Sequence, residues 1–340
     1  MISNTNNEQV MLLSDHVISN SISGMAVMDD IERIARRFKL HDVRVLISVV
    51  EAGSMHKAAE RLATSQPAIS RAIADLEHAV GVRLLERSPR GIEPTQYGRV
   101  LIKHGVAAFD EFRQGVKDIR FLADPSTGEL RIACSDAMAA GPVLAVIEQL
   151  TRKHPRLVFH VATGAAATLL RRLTERNVEL VITRATEADD DEQIYVGGLF
   201  EDNVVVAAGA QSRWARRRRI KLDELVNEPW VLPPEGSAVG AILLEAFRAR
   251  GLAPPAATVV AESAILRSRL LASGRFLTVI PEFLLTLPGR EPSIKALPVE
   301  LPGARRTMRI ISLRNRSLSP LAELFIDSMR ALAKPLAKGT

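Results

Sequence analysis

Two short helices separated by a tight turn are predicted between residues 54 and 73, SMHKAAERLATSQPAISRAI. Ala58 and Ala59 give the first helix a small apolar face that suits close packing against a neighbour. Ser65 is typical of a helix N-cap, and Pro67 stands in the first turn of the second helix, where its missing N–H costs little. The buried stripe of the second helix comprises Ile69, Ile73, Leu76 and Val80. The first helix therefore acts as a brace that fixes the direction of the second.

The outward face of the second helix carries residues that can contact DNA. With the apolar stripe buried, Pro67 and Arg71 point outward, and Gln66, Ser70 and Ala68 flank them. Gln can pair with adenine, Arg with guanine, and a small apolar group can meet the methyl group of thymine. The free N–H groups at the helix start can hold a phosphate. This pattern predicts a helix-turn-helix that reads the major groove, with an ordinary helical hairpin as the alternative.

Composition and charge indicate the cellular compartment of the protein more than its function. The 340 residues carry a net charge of +6, but residues 1–124 hold 16 basic and 16 acidic side chains, so charge alone does not indicate nucleic-acid binding. The single cysteine, Cys134, excludes an intrachain disulfide and a cysteine-based metal cluster, and it fits a reducing cytoplasm. No stretch is apolar enough to span a membrane. Residues 1–30 are expected to be a disordered tail without a secretory signal, and the sequence leaves the start residue open between Met1, Met25 and Met28.

A β-hairpin and a long helix are predicted after the two short helices. Residues 83–95 form two short strands around a Ser-Pro-Arg-Gly turn. From Tyr97 to Leu122 the chain predicts one helix of about 39 Å with an apolar seam in alternating steps of four and three. The seam consists of Leu101, Gly105, Ala108, Phe112, Gly115, Ile119 and Leu122. The helix either pairs with a second copy of the chain or packs on its own domain.

The pattern changes after a linker at residues 124–128 to alternating strands and helices, which indicates an α/β fold. The predicted strands are Glu129–Cys134, Arg156–Thr163, Val178–Thr183, Asn203–Gly209, Ala256–Ala261, Phe276–Ile280 and Met308–Leu313. The predicted helices lie near 141–153, 166–176, 237–249, 263–273 and 319–334. The basic run Arg216–Arg219 is expected to be an exposed turn or helix end.

A longer ordered string distinguishes the helix-turn-helix from an ordinary hairpin. It contains G-S-x-x-x-A-A from Gly53, S-Q-P-A-I-S-x-x-I from Ser65, L-E from Leu76, then Gly81, and T-x-x-G from Thr95. Over about 60 residues without a gap, it closely resembles the DNA-binding domain of LysR-type transcriptional regulators. Leu85 replaces the Phe that is usual in the family, which is a change within the core. The resemblance predicts a winged helix-turn-helix at residues 31–95 and a linker or dimerisation helix at 96–123.

Roles for individual residues follow from this resemblance. It implies that Gln66, Ser70 and Arg71 read or approach bases. It also implies that Thr64 and Ser65 contact phosphate and that Arg87 or Arg90 in the wing lies against the DNA backbone. The candidate DNA-binding residues are therefore Thr64, Ser65, Gln66, Pro67, Ala68, Ser70, Arg71, Arg87 and Arg90. His56, Lys57 and Arg61 are more simply interpreted as surface residues.

Residues 124–340 resemble, more loosely, the two-lobed effector domain of the same family, which is similar to periplasmic binding proteins. GELRIACSD matches the opening strand, VELVITRA carries Glu179 at the family's Asp, and GLFEDNVVVAAG resembles the strand that crosses into the second lobe. Arg275 and Phe276 replace small residues that are usual near the hinge. The resemblance predicts lobe I at about 129–205 plus 312–340, and lobe II at about 206–311.

The effector is expected in the cleft between the lobes, at strand C-termini and helix N-termini. The matching positions are Ser135, Thr163, Gly164, Pro234, Gly236 and Ser237, although each could equally serve as a helix cap. Helix N-termini suit a carboxylate or a phosphate, so the small-molecule co-inducer is expected to be anionic. No metal or other cofactor is expected.

No enzyme signature accompanies the α/β pattern: G-x-S-x-G, G-x-x-x-x-G-K-[ST], G-x-G-x-x-G and H-E-x-x-H are all missing from the sequence. The predicted protein is a cytoplasmic, non-enzymatic transcriptional regulator that binds double-stranded DNA as a dimer or tetramer and responds to a small-molecule effector. RNA polymerase is a further expected partner. The alternatives are a constitutive architectural DNA binder and an α/β metabolic enzyme with an accessory DNA-binding domain. The wing sequence favours the subgroup near regulators of sugar and aromatic-acid catabolism.

Overall fold

The structure, a computed structural model, describes residues 38–88, 91–184, 191–234, 236–286 and 293–336. The chain divides into two compact units, Met1–Asp110 and Glu111–Thr340. The predicted tail at residues 1–30 lies outside the described residues. Among the described helices, none combines the length and the apolar character that crossing a membrane requires.

The first unit consists of helices and one hairpin. Its elements are α1 (Leu40–Ala52), α2 (Met55–Arg61), α3 (Gln66–Val80), β1 (Leu85–Ser88), β2 (Gly91–Pro94) and the start of α4 (Gln96–Ala123). Gly53 and Gly81 end α1 and α3 with left-handed backbone, φ 66° and 76°, which glycine adopts without steric cost. The core of the unit is contributed by all three short helices and includes Val43, Leu46, Val49, Ala58, Ala59, Ile69, Ile73, Leu76 and Leu84.

The long helix α4 extends one residue beyond the predicted span at each end and divides its apolar seam into two parts. In the first unit, Gly105 lies so close to α1 that a Cβ atom there would stand 2.5 Å from Cγ1 of Val43. Further along, Phe112, Ile119 and Leu122 are 60%, 68% and 75% exposed. The first part of the seam therefore packs on its own domain, whereas the last part offers an apolar face to solvent.

Lobe I of the second unit is a five-stranded sheet with helices on both faces. Its strands are β3 (Thr127–Cys134), β4 (Arg156–Thr163), β5 (Leu180–Thr183), β6 (Ile194–Asp202) and β12 (Arg306–Leu313), in the order β4-β3-β5-β12-β6. Strand β3 pairs in parallel with β4 and β5, and β12 pairs antiparallel with β5 and β6. The helices are α5 (Asp136–Met138, continuing through the π-helical turn Ala139–Val143 into Leu144–Lys153), α6 (Ala166–Thr174) and α9 (Pro320–Leu336).

Lobe II is a second five-stranded sheet, in the order β11-β7-β10-β8-β9. The strands are β7 (Val204–Gly209), β8 (Trp230–Leu232), β9 (Ala257–Val260), β10 (Leu277–Pro281) and β11 (Ile294–Ala296), and the helices are α7 (Ala238–Ala249) and α8 (Ala264–Ala272). Trp230 and Phe247 form the centre of its core with their rings edge to face, 6.2 Å apart. The α/β fold class is confirmed, and both lobes have the layered arrangement that alternating strands and helices indicate.

Three strands and two boundaries differ from the sequence-based expectation. Strand β6 was not predicted as a strand of its own because Gly197 and Gly198 interrupt its apolar pattern, and β8 and β11 are only three residues long. Residues 306–311 lie in the lobe I sheet and not in lobe II, because β12 pairs with β6 from Arg306 onward. Helix α5 begins at Asp136 and not near residue 141, because the helix continues through Pro142 by a π-helical turn.

Candidate nucleic-acid interface and effector cleft

Helix α3 is fixed in place by its cap and its buried face. The Oγ atom of Ser65 accepts a hydrogen bond from the backbone N–H of Ala68 at 3.4 Å, and Pro67 follows in the first turn. Ile69, Ile73 and Leu76 are only 1%, 4% and 1% exposed. Because these three side chains hold one face of the helix in the core, the opposite face is held toward solvent.

The candidate reading residues share that solvent face. Seven of them are exposed: Thr64, Ser65, Gln66, Pro67, Ala68, Ser70 and Arg71. The hydroxyl of Ser70 lies 3.3 Å from Sδ of Met55, while the side chain of Arg71 has no hydrogen bond or ion pair with any other described residue. Free guanidinium and amide groups at a helix start have the donor and acceptor geometry that base edges require.

Helix α2 braces α3 as predicted. Ser54 caps α2 by accepting from the N–H of Lys57 at 3.5 Å, and Ala58 and Ala59 are buried. The turn between the helices places Ala63 in the left-handed region at φ 49°, and Thr64 N–H then bonds to the carbonyl of Ala59 at 2.9 Å. On the outer side of α2, His56, Lys57 and Arg61 are all exposed, and His56 lies 3.4 Å from Glu60.

A hairpin wing follows α3 and is attached to it through one carboxylate. Glu77 Oε1 accepts hydrogen bonds from the N–H groups of Leu84 and Leu85 at 2.7 and 3.2 Å. Strands β1 and β2 then pair in register from Leu85 with Pro94 to Ser88 with Gly91. Of the predicted wing contacts, Arg90 and the side chain of Arg87 lie outside the described residues.

The junction between the wing and α4 depends on Thr95 and Gly98. Thr95 Oγ1 donates to the carbonyl of Arg83 at 2.8 Å and accepts from the N–H of Gly98 at 3.0 Å. A Cβ atom on Gly98 would lie 2.1 Å from the carbonyl oxygen of Leu84, which no real contact allows. The T-x-x-G motif therefore has a packing reason: it closes the wing onto the start of α4.

In the second unit, the candidate effector residues lie at strand ends and helix starts. Ser135 follows β3 and precedes α5; its N–H bonds to the carbonyl of Ile182 at 3.2 Å, and its hydroxyl makes no capping hydrogen bond. Thr163 ends β4, and Gly164 after it is exposed. In lobe II, the Oγ atom of Ser237 caps α7 by accepting from Gly240 N–H at 3.0 Å.

These candidates differ in how free they are for a ligand. The Ser237 oxygen is engaged in capping, whereas the half-buried hydroxyl of Ser135 is not. Pro234 is half-buried, and Gly236 is exposed with φ 84°, a backbone conformation that favours glycine. The intervening residue 235 lies outside the described residues.

Two charged residues that the sequence reasoning missed lie in the same region. Asp136, the residue after Ser135, is exposed at the start of α5. Arg267 in α8 of lobe II donates from Nη1 to the carbonyls of Ala261 and Glu262 at 2.6 and 2.7 Å. Burial lowers the pKa of Arg267, and the negative charge of Asp136 acts in the opposite direction. The rule that singled out Ser135, a strand end followed by a helix start, applies equally to Asp136.

A buried ion pair marks the point where the chain crosses between the lobes. Arg184, just after β5, pairs with Asp202 at the end of β6, and both are less than a tenth exposed. Asp202 also accepts from the N–H of Phe283 at 3.0 Å, which comes from the segment after β10. Burial raises the pKa of Asp202 to about 6, although the guanidinium of Arg184 acts to lower it. No local pattern predicts this pair, because only the fold brings Arg184 and Asp202 together.

A cavity of about 360 Å³ lies elsewhere in lobe I, between the edge strand β6 and helix α9. Its lining includes Tyr195, Gly197, Ser312, Glu323 and Arg330. None of the candidate effector residues contributes to it, so this cavity is distinct from the predicted cleft. Among the described residues, no cluster of His, Cys, Asp and Glu is suited to hold a metal ion.

Comparison with known proteins assigns both units. Residues 40–99 match the family described as bacterial regulatory helix-turn-helix protein, lysR family, and residues 123–334 match the LysR substrate binding domain. The HTH-type transcriptional regulator GbpR of Azospirillum brasilense is 28% identical over 87% of this chain and 86% of its own length. The transcriptional dual regulator GltC of Bacillus subtilis is 26% identical over 85% of this chain and 95% of its own.

Solved structures share the fold. Full-length OxyR from Pseudomonas aeruginosa superimposes with a TM-score of 0.61 at 22% identity, covering 86% of this chain and 95% of its own. Full-length CbnR complexed with its target DNA gives a TM-score of 0.57 at 20% identity, covering 87% and 100%. The two family matches together span most of the described residues. The chain therefore belongs to the LysR family and is a transcriptional regulator with an N-terminal helix-turn-helix and a C-terminal substrate-binding domain.

Proposed function

We propose that this regulator reads its operator with the exposed N-terminal end of α3. In this proposal Gln66, Ser70 and Arg71 approach base edges, with Pro67 and Ala68 against the groove. Thr64 and Ser65 hold phosphate at the helix start, and Arg87 and Arg90 contact the DNA backbone from the wing. The observation that carries the proposal is the exposure of the whole reading face opposite the buried Ile69, Ile73 and Leu76.

The test compares Arg71→Ala with Arg61→Ala. The second variant is the control, because it also removes one positive charge, from an exposed side chain on α2. Genome-wide mapping of binding sites first identifies an operator fragment, and a shuffled duplex of equal length serves as the non-specific probe. We expect Arg71→Ala to lower the ratio of specific to non-specific affinity by about 10- to 100-fold, since one good base contact contributes about 1–3 kcal/mol of discrimination. Arg61→Ala should keep the ratio. An unchanged ratio in Arg71→Ala would contradict the proposed reading role.

The second part of the proposal is self-association through the last part of α4. Phe112, Val116, Ile119 and Leu122 are each more than half exposed and recur at helical spacing. Pairing two copies along this face would bury the apolar surface and give a two-fold protein for a two-fold DNA site. A second apolar surface around Val260, Ile265 and Leu266 offers a route from dimer to tetramer.

The third part concerns the effector, for which we propose an anionic small molecule bound between the lobes. Ser135, Thr163, Gly164, Pro234, Gly236 and Ser237 remain the candidate positions, and Arg267 adds a cation among them. Binding would shift the balance between lobe arrangements by favouring one of them. The altered arrangement would then change how the regulator meets RNA polymerase at the promoter.

Ligand binding can be tested by thermal-shift titration of the full chain against a panel of small carboxylates and phosphates. We expect a saturable shift for the effector class, and Arg267→Gln should weaken it, while the exposed control Arg269→Gln should not. Saturable binding would also argue against a constitutive architectural DNA binder. If Arg267→Gln and Arg269→Gln respond alike, Arg267 is not part of the site.

A further inference from the structure

The arginine run Arg216–Arg219 lies on an exposed, anchored part of lobe II, and the family match assigns it no role. Arg213–Arg216 is a short 3₁₀ helix, and Arg216–Arg219 are all exposed. The segment is anchored at both ends by buried side chains, Trp214 and Ile220, which are 8% and 4% exposed. Ile220 N–H also bonds to the carbonyl of Pro298 at 3.2 Å. The arginines therefore occupy a fixed surface rather than a loose loop.

Two neighbouring arginines are already engaged within lobe II. Arg213 pairs with Glu228, whose other oxygen accepts from Trp214 Nε1 at 2.8 Å. Arg217 pairs with Glu224 at 3.0 Å. The guanidinium carbons of Arg213 and Arg217 also lie 5.1 and 5.9 Å from the centre of the Trp214 ring, within the range of cation–π attraction.

Three arginines of the same segment have no such partner. The side chains of Arg216, Arg218 and Arg219 form no ion pair or hydrogen bond with any other described residue. Holding three like charges on a short anchored segment is unfavourable because they repel one another. A polyanion removes this repulsion, and the forked guanidinium matches phosphate oxygens better than a lysine does.

We propose that Arg216, Arg218 and Arg219 form a second DNA-contacting surface that binds the phosphate backbone without reading sequence. DNA is favoured over an acidic protein segment because the helix-turn-helix already brings DNA to this protein, so a second contact forms at high effective concentration. Arginine contacts to phosphate add affinity and position the protein, while specificity stays with the base contacts. The surface would thus add affinity for DNA that flanks the operator.

The experiment measures how binding of the full chain to a 60-base-pair random-sequence duplex depends on salt. The plot of log affinity against log salt has a slope of about −0.9 for each phosphate contact. We expect the combined variant Arg216→Gln, Arg218→Gln and Arg219→Gln to reduce the magnitude of the slope by about 2–3. The control combines Arg171→Gln, Arg172→Gln and Arg248→Gln, three exposed arginines elsewhere, which lowers the net charge equally.

The control separates a local contact from the general effect of charge. A smaller slope in the first variant alone, with unfolding transitions unchanged in both, supports the proposal. Equal slopes in the two variants would overturn the proposal. This holds also if the first variant has the slope of the control and loses only activation of transcription by RNA polymerase. Arg71→Ala, measured on the same random duplex, should keep its slope within about one unit. The proposal for the lobe II surface and the proposal for the reading helix α3 can therefore be contradicted independently.

Discussion

The guanidinium of Arg176 lies 3.5 Å from the carboxylate of Glu111, although Arg176 occupies a left-handed backbone position, φ 59°, just after α6. Its Nη2 atom also donates to the carbonyl of Asn315 at 3.0 Å, and the side chain is only 7% exposed. Glycine is favoured at such a helix end. The contacts of the side chain therefore hold the backbone in a conformation that costs about 1 kcal/mol for a residue with a Cβ atom.

Replacing Arg176 by alanine or by glycine should separate these two effects. Both variants lose the contacts to Glu111 and Asn315, so both should be less stable than the wild type by about 1–3 kcal/mol. Glycine also removes the backbone strain, so Arg176→Gly should be more stable than Arg176→Ala by about 1 kcal/mol. Chemical unfolding of the three proteins measures the difference. Equal stability of the two variants would show that the left-handed position carries no strain.

Two glycines of α4 should respond in opposite ways to alanine. Gly98→Ala places a Cβ atom 2.1 Å from the carbonyl oxygen of Leu84, so the wing must move away from α4. We expect a loss of several kcal/mol in the N-terminal unit, with a large loss of DNA affinity. Gly115→Ala meets no atom within 4 Å and should stabilise the helix by about 1 kcal/mol. Circular dichroism during thermal unfolding tests both, and a Gly98→Ala protein as stable as the wild type would refute the close contact.

The buried Asp202 should make stability depend on pH in the acidic range. Its pKa in the folded protein is raised to about 6, above the ordinary value of 3.8, chiefly by burial. Between these values the folded state binds a proton that the unfolded chain has released, so this contribution to stability is full below pH 4 and falls as pH rises to about 6. Asp202→Asn should lack this decline.

The measurement is urea unfolding of wild type and variants at several pH values. The wild type should lose stability relative to Asp202→Asn between pH 4 and 6, and the difference should stay constant above that range. Asp327→Asn, which changes a carboxylate that is 75% exposed, should follow the wild type. Parallel curves for the wild type and Asp202→Asn would mean that Asp202 titrates normally.

The exposed end of α4 should control self-association. Ile119 is 68% and Leu122 75% exposed. The combined variant Ile119→Gln and Leu122→Gln should raise the dissociation constant of the dimer at least about tenfold, since burying each such side chain contributes about 1.5–3 kcal/mol. Sedimentation at several concentrations gives this constant. Arg120→Gln, on the same exposed turn, should leave it unchanged, and an equal effect of both variants would argue for another interface.

The N-terminal unit could be predicted in detail because its signals are local. Ser65 caps α3 as its position predicts, and Ser54, Gly53 and Gly81 likewise stand at helix ends, where these residue types are common. The same local reasoning predicted a helix near residues 141–153, whereas the helix begins at Asp136 and continues through Pro142. Met138 and Val143 are buried on either side, at 0% and 1% exposure, so packing carries the helix through the π-helical turn.

The candidate effector region could be predicted only in part, because its groups come from distant parts of the chain. Ser135 follows a recognisable strand end, but Arg267 belongs to the other lobe and comes within electrostatic range of Asp136 only through the fold. The pair of Arg184 and Asp202 is of the same kind. The left-handed Arg176 was also beyond sequence reasoning, since glycine or asparagine is the residue expected there.

The return of β12 and α9 to lobe I has a consequence for synthesis of the protein. The core of lobe I joins Leu130 and Ile132 of β3 to Leu321, Phe325 and Met329 of α9. Strands β7 to β11 lie between them in the chain and complete lobe II first. During synthesis on the ribosome, lobe II can therefore complete its sheet before α9 has been made. Until then, the apolar strands of lobe I remain exposed. Lobe I is thus the first part of the effector unit to be synthesised and the last to complete its core. The nascent chain is most exposed to aggregation between the synthesis of β3 and that of α9.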